Sequence, residues 1–268
     1  MTRVLSVPLL AGLCVLAGCE SYLRYPKDYR YQLRKDVLVT EPPTAQPDHL
    51  PAPGEIDKGI LAALNRDKDG KKGDGKHLDP AKLSADERKE LREALDEQFG
   101  TPRLPKVAIA SGTDTLFGKD IEHNLYAGSE LYRKHCMHCH GVSGDGRGPT
   151  GPWVHPHPRD YRSGKFKFIS TDRKKANSEK PRRQDLLRTL ERGIDGTSMP
   201  AFGSNLGDAE LDQLVSYVIH LSIRGETEFR TLSTLLGNEN RKSAAGDVAK
   251  EVDKQVKAVF PAWQRATG

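Results

Sequence analysis

The chain has 268 residues, is 36% hydrophobic and 6% aromatic, and has a mean hydropathy of −0.65. That length allows one or two modest domains, and the low apolar content excludes a chain packed throughout, so part of it is linker or exposed tail. The net charge of +5 suits an acidic partner or an anionic surface without naming either.

Arg3 opens a short positive region, followed by an apolar run from Val4 to Ala17. The run is too short for a comfortable transmembrane helix and has the layout of a secretory signal. It ends Leu16-Ala17-Gly18-Cys19, which resembles the bacterial lipobox. The resemblance implies that residues 1–18 are a lipoprotein signal peptide and that Cys19 is the lipidation site. More than one acyl chain on that cysteine gives stable anchoring where a single chain would not. The alternative is an ordinary signal peptide with a chance cysteine. Cys14 falls inside the removed segment, so no pair is left over for a structural disulfide. The expected location is the periplasmic side of a bacterial membrane, with inner and outer membrane both open.

Residues 19–119 read as a membrane-proximal tether with a short helical segment. Tyr22, Tyr25, Tyr29 and Tyr31 alternate with Arg24, Lys27, Arg30, Arg34 and Lys35. Such a patch either rests on lipid headgroups or packs on the folded domain. Pro42, Pro43, Pro47, Pro51 and Pro53 read as an extended spacer that lets a domain reach away from its membrane. Ile56 to Leu64 reads as a short helix. Asn65 to Lys76 resembles the start of an EF-hand loop, with a glycine at the sixth position. Its twelfth position is Lys76 where a bidentate Glu belongs, so a solvated charged turn is the better reading. Ser84 starts a helix with Glu87 at the capping-box position and Leu91, Leu95 and Phe99 on one face; Gly100 and Pro102 end it.

Asn124 to His135 reads as a helix with Leu125, Gly128, Leu131 and Tyr132 near one side. It leads into Cys136-Met137-His138-Cys139-His140, the attachment pattern for c-type haem. Two thiols three apart can each form a thioether to a porphyrin vinyl group, and the next residue offers an imidazole to iron. A zinc site would want two more Cys or His ligands at similar spacing. A redox dithiol would want a βαβ setting that the flanks do not give. The glycine-rich run Gly141 to Pro149 follows no strand and so is no dinucleotide loop. Arg159, Tyr161 and Lys165 are candidate donors to buried propionates. Phe166 and Phe168 alternate with Lys165 and Lys167 as a short half-buried strand would. Lys174, Lys175, Lys180, Arg182 and Arg183 make a basic stretch, read either as a solvated loop or as a docking rim. Nucleic acid is disfavoured as its partner by export and by the lack of stacking aromatics. A helix ends near Arg192-Gly193, and Asp208 to Leu221 reads as another, with Leu211, Leu214, Val215, Val218 and Leu221 apolar. Ala245 to Phe260 is helical in pattern, with Val248, Val252, Val256 and Phe260 in one stripe and Pro261 as its stop. That stripe either packs back on the domain or docks a partner.

The stretch Asn124 to Arg224 resembles the class I, mono-haem cytochromes c. The attachment site carries the resemblance, together with Gly128 and Tyr132 on the first helix, Tyr217 on the last, and Gly196-Thr197-Ser198-Met199-Pro200-Ala201-Phe202. It implies an all-α fold with a cytochrome c domain at 120–225 and a C-terminal helical extension at 226–268. It implies one covalent haem c whose iron is held by His140 and Met199, with Cys136 and Cys139 as attachment points. It also implies a backbone carbonyl in a proline region near Pro149 or Pro152 that receives the other N–H of His140. Competing distal ligands are His123, His138, His155, His157 and His220, with His138 expected to point away. The implied activity is electron transfer without bond chemistry, as a shuttle or as a cytochrome subunit of a respiratory complex, with redox proteins as partners. Alternatives are a haem-based enzyme or sensor with a labile distal ligand, and a structural lipoprotein that positions a partner.

Overall fold

A computed structural model describes residues 24–39, 77–109, 112–172, 176–238 and 244–267. The signal region, Cys19, Tyr22, the proline run, Ile56–Leu64, the EF-hand-like loop, Lys174 and Lys175 lie outside the described residues. The fold is all-α, as expected, apart from a two-residue ladder in which β1 (Leu38–Val39) pairs antiparallel with β2 (His77–Leu78).

The first long helix, α1 (Ala85–Phe99), begins where the sequence places it. The Glu87 N–H donates to the Ser84 hydroxyl at 3.2 Å, and the Ser84 N–H donates to the Glu87 carboxylate at 2.8 Å. The two bonds satisfy donors that the first turn leaves open. A short turn of helix, α2 (Asp114–Phe117), buries Leu116 and Phe117, and α3 (Ile121–His135) follows.

The core is organised around α6 (Asp208–Gly237), 30 residues long, which runs well past the Leu221 expected as its end. The sequence pattern misled because Arg224, Glu226 and Glu228 break the apolar periodicity yet are buried. They are paired instead of solvated: Arg224 meets Glu228 at 3.3 Å, and Glu226 meets Lys180 at 2.7 Å. A buried charge of this kind is tolerated only with a partner.

Helix α3 crosses α6 at Gly128. A Cβ on Gly128 would sit 2.2 Å from the Gln213 carbonyl oxygen and 2.9 Å from the Tyr217 Cβ. The missing side chain is therefore what lets the helices meet, and the Tyr132 ring packs edge-on against Tyr217 at 5.2 Å just beside it.

The C-terminal helix α7 (Asp247–Thr267) settles the open choice for the valine stripe: Val248, Val252, Val256, Val259, Phe260 and Trp263 are buried in the common core. Pro261 does not stop it. Proline forfeits one helical hydrogen bond, but Pro261 is on the exposed side, and Trp263 and Ala266 draw the last turn into the core.

The described part of the expected tether is also packed. Tyr25 and Tyr31 are buried, the Tyr31 hydroxyl lies 3.0 Å from that of Tyr217, and the Arg34 N–H donates to Glu228 at 2.6 Å. Tyr31 and Leu38 share one cluster with Leu91, Leu125, Leu214 and Trp263.

Candidate functional site

The Cys-x-x-Cys-His stretch forms a single helical turn, α4 (Met137–His140), directly after α3. The N–H groups of Cys139 and His140 both donate to the Cys136 carbonyl, at 3.1 and 2.9 Å. The glycine-rich run then folds back over the turn. Gly146 donates to the His140 carbonyl at 2.9 Å, Gly148 to that of Cys139 at 3.0 Å, and Thr150 to that of His138 at 2.9 Å. The orphan carbonyls of the helix end are thus satisfied by the loop. Gly146 has φ +73, and a Cβ there would meet the Pro158 carbonyl oxygen at 2.4 Å. Only glycine fits both the backbone conformation and that contact.

The His140 Nδ1 lies 3.2 Å from the Arg159 carbonyl oxygen. A carbonyl can only accept, so Nδ1 carries the proton and Nε2 keeps its lone pair. The acceptor is in a proline region, as the resemblance implied, but it follows Pro158 and is not at Pro149 or Pro152. The loop between Gly151 and Asp160 returns to the proximal side, a closure in space that spacing does not reveal. Burial lowers the pKa of His140 to about 4, which keeps the imidazole neutral. Its ring stacks on Tyr161 at 4.7 Å, Tyr161 stacks on Phe166 at 5.9 Å, and Phe166 meets the edge of Trp263 at 6.2 Å.

A cavity of about 670 Å³ opens beside α4, lined among others by Cys136, Cys139, His140, Met199, Pro200 and Phe202. The two thiols, the oriented imidazole and the thioether thus face one space, although Met199 lies far along the chain. Met199 is delivered by a loop after α5 (Arg183–Arg192). The Ile194 N–H donates to the Met199 carbonyl at 3.2 Å, and the Met199 N–H to the Thr197 hydroxyl at 3.1 Å. Phe202 N–H returns to Leu190 at 2.9 Å, so the loop is sewn to its own helix on both sides.

Of the competing histidines, His155 is exposed, with its ring 4.9 Å from that of His157. His220 is fully buried on α6, with Nε2 at 3.0 Å from the Phe99 carbonyl and 3.1 Å from that of Lys106. His123 is exposed, near Gln213. His157 and His138 contribute to the cavity wall, His138 as an exposed residue; the His157 Nδ1 faces the Gly151 carbonyl at 3.3 Å. His135 escaped the sequence reading. It lines the cavity beside the Phe202 ring at 5.9 Å, and its Nε2 is buried without a hydrogen-bond partner. Its place immediately before Cys136 was the available signal.

Of the candidate propionate donors, Arg159 and Tyr161 line the cavity; Lys165 does not, whereas Lys167 does. Phe166 and Phe168 form no strand: Phe166 is inside the aromatic stack and Phe168 is half exposed. The described part of the basic stretch turns inward. Lys180 is buried against Glu226 and Trp263, and Arg183 binds Asp212 and the Leu116 carbonyl.

The chemistry of the donor set discriminates among cofactors. Both cysteines are free of disulfides, and burial pushes the Cys136 thiol up to about 12. A redox dithiol needs the opposite, a lowered thiol pKa. Among the described residues no group of three or more His, Cys, Asp or Glu side chains is placed to hold a bare metal ion. What fits the lining is a large, mostly apolar group that attaches through thiols and meets an imidazole nitrogen.

Residues 125–222 match the Cytochrome c family model. This stretch is a cytochrome c domain. Such a domain implies covalently bound haem c with iron, and electron transfer to and from protein partners. No curated protein matches the chain. Among solved structures, it is similar to a chain of the Kuenenia stuttgartiensis reducing HAO-like protein complex, with 28% identity and a TM-score of 0.32. The similarity covers 36% of this chain and 41% of that one, so the chain spans about two-fifths of that structure's length.

Proposed function

We propose that the protein is a membrane-anchored periplasmic electron carrier with a single haem c, held to Cys136 and Cys139 by thioethers and ligated by His140 and Met199. The observation that carries this reading is the shared cavity. It gathers the two thiols, an imidazole with its Nε2 lone pair available, and a thioether held by a loop that is already organised. When bound, the haem would supply a one-electron couple, and ligation by Met199 together with His140 would raise its potential. The chain's own residues attach the porphyrin edge, fix the imidazole through Arg159, and close the distal face with the Met-Pro loop. Ligation from both the His140 and the Met199 side would suit electron passage more than substrate chemistry, which supports a role as a shuttle or as a subunit of a respiratory complex. The Leu16-Ala17-Gly18-Cys19 motif supports an acyl anchor at Cys19.

The test is spectroscopic. Purified protein should give one haem c per chain in a denaturing haemochrome assay, and lose it in Cys136→Ala/Cys139→Ala. The oxidised form should show the far-red band of methionine sulfur on iron, absent in Met199→Ala. High-spin iron that binds small ligands readily in the unaltered protein points instead to an enzyme or sensor.

A further inference from the structure

Anchored at Cys19, the chain has little slack before its first docked residues. Arg24 bridges to Glu130 on α3 at 3.3 Å, and Tyr25 is buried under Arg133, whose guanidinium lies 5.0 Å from the ring. The Arg103 guanidinium donates to the Tyr25 carbonyl at 2.8 Å. Five residue steps separate Cys19 from Arg24, which even fully extended reach about 18 Å. The proline run cannot add to this reach. It lies within residues 40–76, which leave at β1 and return at β2, where Leu38 pairs with Leu78 and Val39 with His77.

The surface nearest the anchor has the chemistry of a headgroup contact. Between residues 24 and 35 the exposed charged side chains are Arg24, Lys27, Arg30 and Lys35 against Asp28; Arg24 is paired with Glu130 and Arg30 with Asp96 at 3.4 Å, which leaves Lys27 and Lys35 as the cations outside these pairs. Tyr29 stacks on Tyr25 at 5.8 Å and stays 37% exposed. Beside Arg103, Leu104 is 65% exposed, and Lys106 is exposed as well. Cations, an amphipathic ring and a bare leucine around a short lipid tether match an anionic interface.

We propose that this face, with Lys27, Tyr29, Leu104 and Lys106 at its centre, rests on the anionic phospholipid headgroups of the bilayer that holds the Cys19 acyl chains. The inference rests on the anchor reading above. It fixes the haem domain against the membrane in one orientation, with α3 held to the docked face through the Arg24–Glu130 pair and Arg133 over Tyr25. Electrons are then exchanged with a partner embedded in, or lying on, the same membrane.

The test uses the full, acylated, haem-loaded protein in vesicles of phosphatidylethanolamine and phosphatidylglycerol. A nitroxide is placed on Leu104→Cys, with Lys254→Cys on α7 as the reference; acylated Cys19 and haem-bound Cys136 and Cys139 leave no competing thiol. The Leu104 label should be several-fold less accessible to an aqueous nickel chelate than the Lys254 label. Lys27→Glu/Lys106→Glu should abolish that difference while the acylated protein stays on the vesicles. Equal accessibility of the two labels in acylated, vesicle-bound protein overturns the docking alone. A mature chain without acyl mass overturns the anchor reading, and the docking with it.

Discussion

The Nδ1 of His140 and the carbonyl oxygen of Arg159 stand 3.2 Å apart across nineteen positions of sequence. The direction of the imidazole is therefore set by the returning loop and not by the helical turn that carries it. Gly146 controls how closely that loop can approach, because a Cβ there would strike the Pro158 carbonyl. Gly146→Ala should displace Arg159, weaken the bond to His140 and destabilise the protein by about 1–3 kcal/mol. A less basic imidazole should also raise the reduction potential. Denaturant titration and a redox titration check the two parts, and an unchanged potential alongside lost stability would separate packing from ligand tuning.

Gly128 is the tightest point between α3 and α6. Alanine there would place a carbon 2.2 Å from the Gln213 carbonyl oxygen, and a carbonyl in a long helix cannot step aside. Gly128→Ala should destabilise by about 2–3 kcal/mol, although alanine favours helix by itself. A stability gain on chemical denaturation would show that the helices separate more easily than their contacts suggest.

His220 links stability to pH. Burial lowers its pKa to about 4, while the unfolded value is 6.5. Between those values the unfolded chain binds a proton that the folded chain refuses. The folded state is thus favoured fully above pH 6.5 and loses that margin as pH falls toward 4. The loss integrates to something on the order of 3 kcal/mol. His220→Gln should have a flatter stability profile between pH 6.5 and 4, measured by urea melts at fixed pH steps.

Trp263 is fully buried, and its indole N–H donates to Glu226 at 3.1 Å. Trp263→Phe leaves part of that carboxylate unmatched and should destabilise by about 1.5–3 kcal/mol. Because Phe166 and Tyr161 connect this ring to His140, the variant should also shift the haem absorption bands; Trp263→Ala should do both more strongly.

The elements that obey one local rule were legible in the sequence. Helix α1 announces itself through Ser84 and Glu87, and the closely packed side of α3 through Gly128 and Tyr132. The Cys136 to His140 turn is a short motif whose spacing is its signal, and the Met199 loop was marked by resemblance; both line the cavity. What escaped depended on partners distant in sequence. Arg224, Glu226 and Glu228 look like the end of a helix until Lys180, Arg34 and Trp263 supply their partners. Lys180 reads as a solvated cation until Glu226 is beside it. Pro261 reads as a stop because a pattern of residues does not show that its side of the helix faces water. The acceptor for His140 is a main-chain atom, which no side-chain motif encodes.

The pairing of Leu38 with Leu78 brings the two ends of the intervening stretch side by side. Both ends are already held together by the body, so closing the loop adds little entropy whether it is long or short; each doubling of length costs only about 0.6 kcal/mol. A change in the number of residues between Val39 and His77 is therefore expected to leave the Leu38–Leu78 pair, and the body that holds it, in place.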